Sequence, residues 1–158
     1  MNAVSAKQLK PLEGLPAADF VLHRKPMLLI EKLIEIGPEF AVCEWTVRSG
    51  DAFWVSGMGV PAYIGIEYMA QCVAVHGGAC EKAQGFPPPV GMLLGTRHAK
   101  LKTAYFEEGS TYQGRCDVLI RGAGGIAAFV CNITCEGQVI AEARLSVWQL
   151  ARGERFSE

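Results

Sequence analysis

The sequence predicts an α+β domain in which one antiparallel sheet curves around a single long central helix. Three observations predict it. "GVPAYIGIEYMAQCVAVHGGA", Gly59 to Ala79, is apolar almost all round, as a helix buried on every side must be. The last third of the chain is a run of alternating segments joined by short turns, which makes antiparallel neighbours. Two strand-like segments joined at Gly37-Pro38 stand ahead of the helix.

Each element follows in chain order. Residues 1–17 read as a lead-in, because Pro11, Gly14 and Pro16 break any regular pattern. A single domain is expected over 18–150 and a tail over 151–158. "MLLIEKLIEI" and "AVCEWTVRS" form a hairpin, and the second alternates with Cys43, Trp45 and Val47 on one face. Residues 49–59, "SGDAFWVSGMG", are a glycine-rich loop with an aromatic pair at Phe53-Trp54. Pro61 sits where a first helical turn tolerates proline, and the helix runs to about Gln84. Gly85 and the prolines at 87–89 end it. Four strands close the domain: "VGMLLGTRHAKLK", "TYQGRCDVLI", "IAAFVCNITC" and "QVIAEARLSVWQ". In the second of these, Tyr112, Cys116, Val118 and Ile120 are expected on one face.

Composition excludes several classes. The chain has 158 residues, half of them hydrophobic and a fifth charged, with a net charge of −1. That is a globular chain and not a disordered one, and it lacks the basic excess of a nucleic-acid binder. The apolar helix is about long enough to span a bilayer, but Glu67, Gln71, His76 and the Gly77-Gly78 pair argue against that. The six cysteines include no Cys-x-x-Cys pair, and the N-terminus carries no apolar signal segment. Reduced thiols in a cytoplasmic protein are expected.

One residue in the helix is out of keeping with its surroundings. Glu67 shares a helix face with Tyr63, Ile64, Ala70, Gln71 and Ala74. A carboxylate buried there costs several kcal/mol unless it is paired or protonated. Gln71, one turn on, is placed to hydrogen-bond it. Either the acid is capped structurally or solvated, or it is held for acid–base chemistry. Chemistry alone leaves both open.

The residues around it carry a resemblance. "VPAYIGIEYMAQ" resembles the central-helix motif of the β-hydroxyacyl-acyl-carrier-protein dehydratases, the hot-dog fold enzymes of fatty-acid synthesis. Pro61, Glu67, Met69, Ala70 and Gln71 match, and Ala62 stands where that family has glycine. "LHRKPMLLIEKL", Leu22 to Leu33, is similar to the family's opening motif, and the two lie in the family's order. The variant with the most similar helix start and "LLGTR" strand is the accessory dehydratase of aryl polyene biosynthesis.

The resemblance implies dehydration of a 3-hydroxyacyl thioester to the 2-enoyl thioester, with no metal and no diffusible cofactor. The acyl group would arrive on the phosphopantetheine arm of an acyl carrier protein. Glu67 would be the acid. The family's base is a histidine in Gly-His-Phe-Pro before the helix, and this chain reads "VSGMGVPA" there. Of its three histidines, His23 in the opening motif is the expected base, ahead of His98 and His76. By analogy Ala62 would donate to the thioester oxygen, with Tyr63, Gln71 and Gly91 lining the substrate channel. Arg97, Lys100 and Lys102 are expected to dock the acidic carrier protein. A homodimer, or a heterodimer with a second hot-dog dehydratase, is expected. Two alternatives stand beside this: a thioesterase, which needs no histidine, and a non-catalytic subunit that completes a partner's site.

Overall fold

The computed structural model describes residues 3–154. A short helix α1 (Ala6–Leu9) opens the chain, held by a reciprocal Ser5–Gln8 capping box. Strands β1 (Lys32–Gly37) and β2 (Phe40–Thr46) form the expected hairpin, with Gly37 opposite Phe40. A two-residue strand β3 (Val60–Pro61) leads into a 3₁₀ turn, Ala62–Ile64, and then the long helix α2 (Gly65–Lys82). Strand β4 (Gly91–Leu101) follows, then the two-residue β5 (Tyr105–Phe106). Three long strands end the domain: β6 (Thr111–Arg121), β7 (Ile126–Cys135) and β8 (Gln138–Gln149). Six strands make one sheet in the order β1-β2-β6-β7-β8-β4, while β3 and β5 pair separately. Every pairing is antiparallel.

The core lies between sheet and helix. Cys43, Trp45 and Val47 from β2 and its end meet Tyr68, Met69, Cys72 and Val75 from α2. Trp45 stacks on Tyr68 at 4.4 Å between ring centroids, and Phe106 meets Tyr68 edge-on at 5.1 Å. Such pairs add about 1 kcal/mol each beyond the area they bury. All six cysteines are free thiols. Among the described residues no helix is long and apolar enough to cross a membrane.

Four details depart from the sequence expectations. The first strand begins at Lys32 and not at Met27, because the Gln71 side chain takes the Met27 carbonyl and the Leu29 N–H out of any ladder. The helix begins later than Pro61, since Pro61 pairs with Tyr105 and the Ala62 N–H donates to the Ala104 carbonyl. The lead-in also belongs to the core. Leu9, Ala17 and Phe20 are fully buried, and Gly14, Leu15 and Ala17 bond along the open edge of β1. On β6 a bulge between Val118 and Ile120 shifts the register, so Ile120 turns out and is 62% exposed.

Two adjacent glycines shape one side of α2. A Cβ on Gly78 would overlap the Phe20 backbone carbonyl, so glycine alone lets the chain at Phe20 lie against the helix. A Cβ on Gly77 would meet only side chains, the end of Gln149 at 3.1 Å and Pro89 Cγ at 4.0 Å.

Candidate active site

The side of α2 that carries Glu67 is not covered by the sheet. Glu67, Ala70, Ala74 and Gly77 recur at helical spacing and form the floor of a groove of about 230 Å³. The small side chains make the hollow. One wall is the segment Phe20–His23, and the other is the start of β4 with the end of β8. Glu67 is therefore half-buried and not enclosed: its side chain is 35% exposed, at the groove surface.

His23 and Glu67 face each other across this groove. Nε2 of His23 lies 3.9 Å from Oε1 of Glu67. Nδ1 of His23 is buried and has no hydrogen-bond partner. Nε2 is thus the nitrogen that can exchange a proton with a molecule in the groove.

Gln71 fixes the acid. It is fully buried, and its Nε2 donates to Glu67 Oε1 at 2.8 Å and to the Met27 carbonyl at 2.7 Å. Its Oε1 accepts from the Leu29 N–H at 2.9 Å. A carbonyl only accepts and an N–H only donates, so these two backbone partners set the orientation of the amide. Oε1 of Glu67 is then committed to Gln71, and a proton on Glu67 belongs on Oε2. The same amide ties the helix to the segment after His23. There Arg24 donates to the Val21 carbonyl at 2.9 Å and to the His23 carbonyl at 2.7 Å, which tightens the turn.

The other expected site residues divide. Gly91 lines the groove. Gln71 lies behind Glu67, so it positions the acid and does not line the channel. Ala62 is 6% exposed and its N–H is bound to the Ala104 carbonyl, so it offers no free donor to a thioester oxygen. Tyr63 is 68% exposed and stands outside the groove, as do Phe53 and Trp54. His76 is buried, with Nε2 3.3 Å from the Gly37 carbonyl and 3.2 Å from that of Pro38, away from Glu67. His98 sits at a bulge of β4 with a φ of 53°.

Arg97, Lys100 and Lys102 lie along or just past the outer edge of the sheet, on β4 and its end, and all are exposed. Lys102 is 3.8 Å from Glu142. Their end of β4 is the end near the start of α2, since Ala104 bonds Ala62 there, while Pro89 lies 4.0 Å from where a Gly77 side chain would begin. Sequence reasoning missed the walls built by Phe20–Leu22 and Val147–Gln149. The opening motif hinted at the first wall. Nothing local marks the second.

The chain matches the ApeP-like family, described as ApeP dehydratase, over residues 15–158. Among solved structures it is similar to the dehydratase heterocomplex ApeI:P from Xenorhabdus doucetiae, at 27% identity and a TM-score of 0.81. That likeness covers 87% of this chain and 93% of the other. A hypothetical thioesterase with coenzyme A from Streptococcus pneumoniae TIGR4 shares the fold at 9% identity and a TM-score of 0.59, over 75% of this chain and 84% of that one. No curated protein sequence matches. A family match across nearly the whole chain, with a hot-dog sheet and a carboxylate and a histidine facing one groove, makes this chain a member of the ApeP-like dehydratase family.

Proposed function

We propose that the chain dehydrates a 3-hydroxyacyl thioester, carried on the phosphopantetheine of an acyl carrier protein, to the 2-enoyl thioester. The observation that carries this is the His23–Glu67 pair, 3.9 Å apart on an apolar groove, with Gln71 holding the acid from behind. The gap is too wide for a direct hydrogen bond, so neither group is tied to the other and both can turn to a substrate lying across them in the groove. Neutral His23 takes the α-proton on Nε2. The C2–H electron pair forms the new double bond as the C3–O bond breaks. Glu67 gives a proton from Oε2 to the departing hydroxyl, which leaves as water. Return of the proton from His23 to Glu67 resets the pair.

Strand β4 supports a partner. It is the outer strand of the sheet, with Met92, Leu93 and Leu94 exposed at 46%, 42% and 56%. A long apolar edge of this kind is a template for pairing with another chain. A second hot-dog dehydratase subunit laid along β4 would cover these side chains. The Xenorhabdus relative is itself a heterocomplex.

The test is mass spectrometry of a 3-hydroxyacyl carrier protein incubated with wild type, Glu67→Gln and His23→Ala. Wild type removes one water, and each variant loses roughly 10²–10⁴ in rate with its thermal midpoint retained. Release of the whole acyl group would make the chain a thioesterase. Full turnover by Glu67→Gln would overturn the mechanism.

A further inference from the structure

The helix face that carries Glu67 does not stop where the groove stops. Gly77 closes the groove floor, and Glu81 follows one turn later on the same face. A second cleft, of about 220 Å³, begins there and reaches Glu81 and Arg152. Pro89, Val90 and Gln149 line both hollows. The two therefore lie in line along one helix and share a wall.

The division between them is thin. Pro89, Val90 and Gln149 belong to both, and the Gln149 side chain lies over Gly77, where an added Cβ would stand 3.1 Å from Gln149 Oε1 and 4.0 Å from Pro89 Cγ. Among the described residues the Gln149 side chain makes no hydrogen bond, so nothing polar holds it across the gap. Packing does not require glycine at 77, unlike at 78, where a Cβ would overlap backbone. Glycine also weakens a helix interior. The absent side chain makes room for the Gln149 amide, which lies in the line of the groove.

We infer that the second cleft is the far half of the acyl channel, and that Gly77 and Gln149 together set the longest chain the site accepts. This rests on the groove being the acyl site of the proposed reaction. A short chain lies between Glu67 and Gly77, a rise of about 15 Å along the helix. A longer chain turns the Gln149 amide aside, passes over Gly77 and enters the second cleft. Phe86, Pro87 and Leu150 give that cleft apolar walls. The Glu81–Arg152 ion pair at 2.6 Å also lines it, with Arg152 3.8 Å over the Phe86 ring.

The experiment is calorimetric binding of unreactive S-alkyl pantetheine thioethers of rising chain length to the full-length chain. The quantity read is the ratio of affinities, long over short. Gly77→Leu lowers that ratio roughly tenfold or more, because a few methylenes at a blocked point are decisive. Gln149→Ala raises it, and this variant tests the gate from the opposite wall should Gly77→Leu fail to fold. An unchanged ratio in both variants, or an equal loss at every length, overturns the inference. Dehydration of a short 3-hydroxyacyl thioester is assayed separately. A length-dependent ratio without dehydration would overturn the catalytic reading and keep the channel. Dehydration with a flat ratio would do the reverse.

Discussion

Gln71 uses every hydrogen-bonding position its surroundings reach: two N–H bonds given, one bond accepted, and no exposed surface. Replacing it with leucine leaves the Met27 carbonyl and the Leu29 N–H without partners and frees Glu67 to turn. Gln71→Leu should lose roughly 2–3 kcal/mol of stability, read by urea unfolding. It should also lose turnover in the fraction that stays folded. A variant as stable as wild type would show that these two backbone groups find other partners. The Glu67–Gln71 contact was legible in the sequence because both residues lie one turn apart on one element. The His23–Glu67 approach was not, except through the family resemblance, because the two lie on separate segments that meet only in the fold, tied by the Gln71 bonds to Met27 and Leu29. Ala62 shows the limit from the other side. Its N–H looked free at a helix start, and a two-residue strand too short to read placed the Ala104 carbonyl against it.

At the scale of elements, α2 carries a buried titratable group apart from the site. Burial holds the His76 ring below its ordinary value of 6.5, and the Arg121 charge adds to this. The carbonyls of Gly37 and Pro38 and the carboxylate of Glu39 oppose it. The neighbouring Cys80 thiol is pushed up to about 11 by burial, so it stays neutral in the working range. The folded state thus binds a proton at His76 less readily than the unfolded chain. Stability from this group is full above about pH 6.5 and falls as pH drops toward the lower folded value. Thermal midpoints taken at about pH 7.5 and about pH 5.5 should therefore diverge in wild type, and by less in His76→Gln. An identical difference in the variant would assign the acid sensitivity elsewhere. On β4, Arg97→Glu with Lys100→Glu should raise KM for a carrier-protein substrate and leave KM for a pantetheine thioester unchanged. Added salt should mimic the effect in wild type. Equal KM values would remove these residues from docking. The three strand hairpins, β1–β2, β6–β7 and β7–β8, were plain from their turn residues. The wall at Val147–Gln149 was not, since it meets the helix only because the strand order sets β8 beside β4.

For the whole molecule, the sheet has two unlike edges. The β1 edge is covered by the chain's own lead-in, which bonds to Glu31 and Leu33. The β4 edge is uncovered, apolar at Met92–Leu94 and basic at Arg97 and Lys100. Association should therefore be one-sided, through β4. Leu94→Lys is expected to shift the mass seen by light scattering from an oligomer to a monomer, with the fold retained by circular dichroism. An unchanged mass would move the interface to another face. The hot-dog architecture was visible in the sequence because one segment apolar almost all round stands between alternating segments joined by short turns. The core role of the lead-in was hidden by its breaks at Pro11, Gly14 and Pro16, which interrupt periodicity without preventing burial of Leu9 and Ala17.

The neighbouring glycines of α2 have opposite freedoms to change. At Gly78 any side chain strikes fixed backbone, so substitution there is a matter of folding. At Gly77 a side chain meets only a movable amide, and alanine would even favour the helix. A mutational library across this pair should therefore return survivors at 77 and none at 78. The survivors would form a graded series of enzymes sorted by the length of product they release. A lineage in need of shorter or longer chains has a single codon at which to begin.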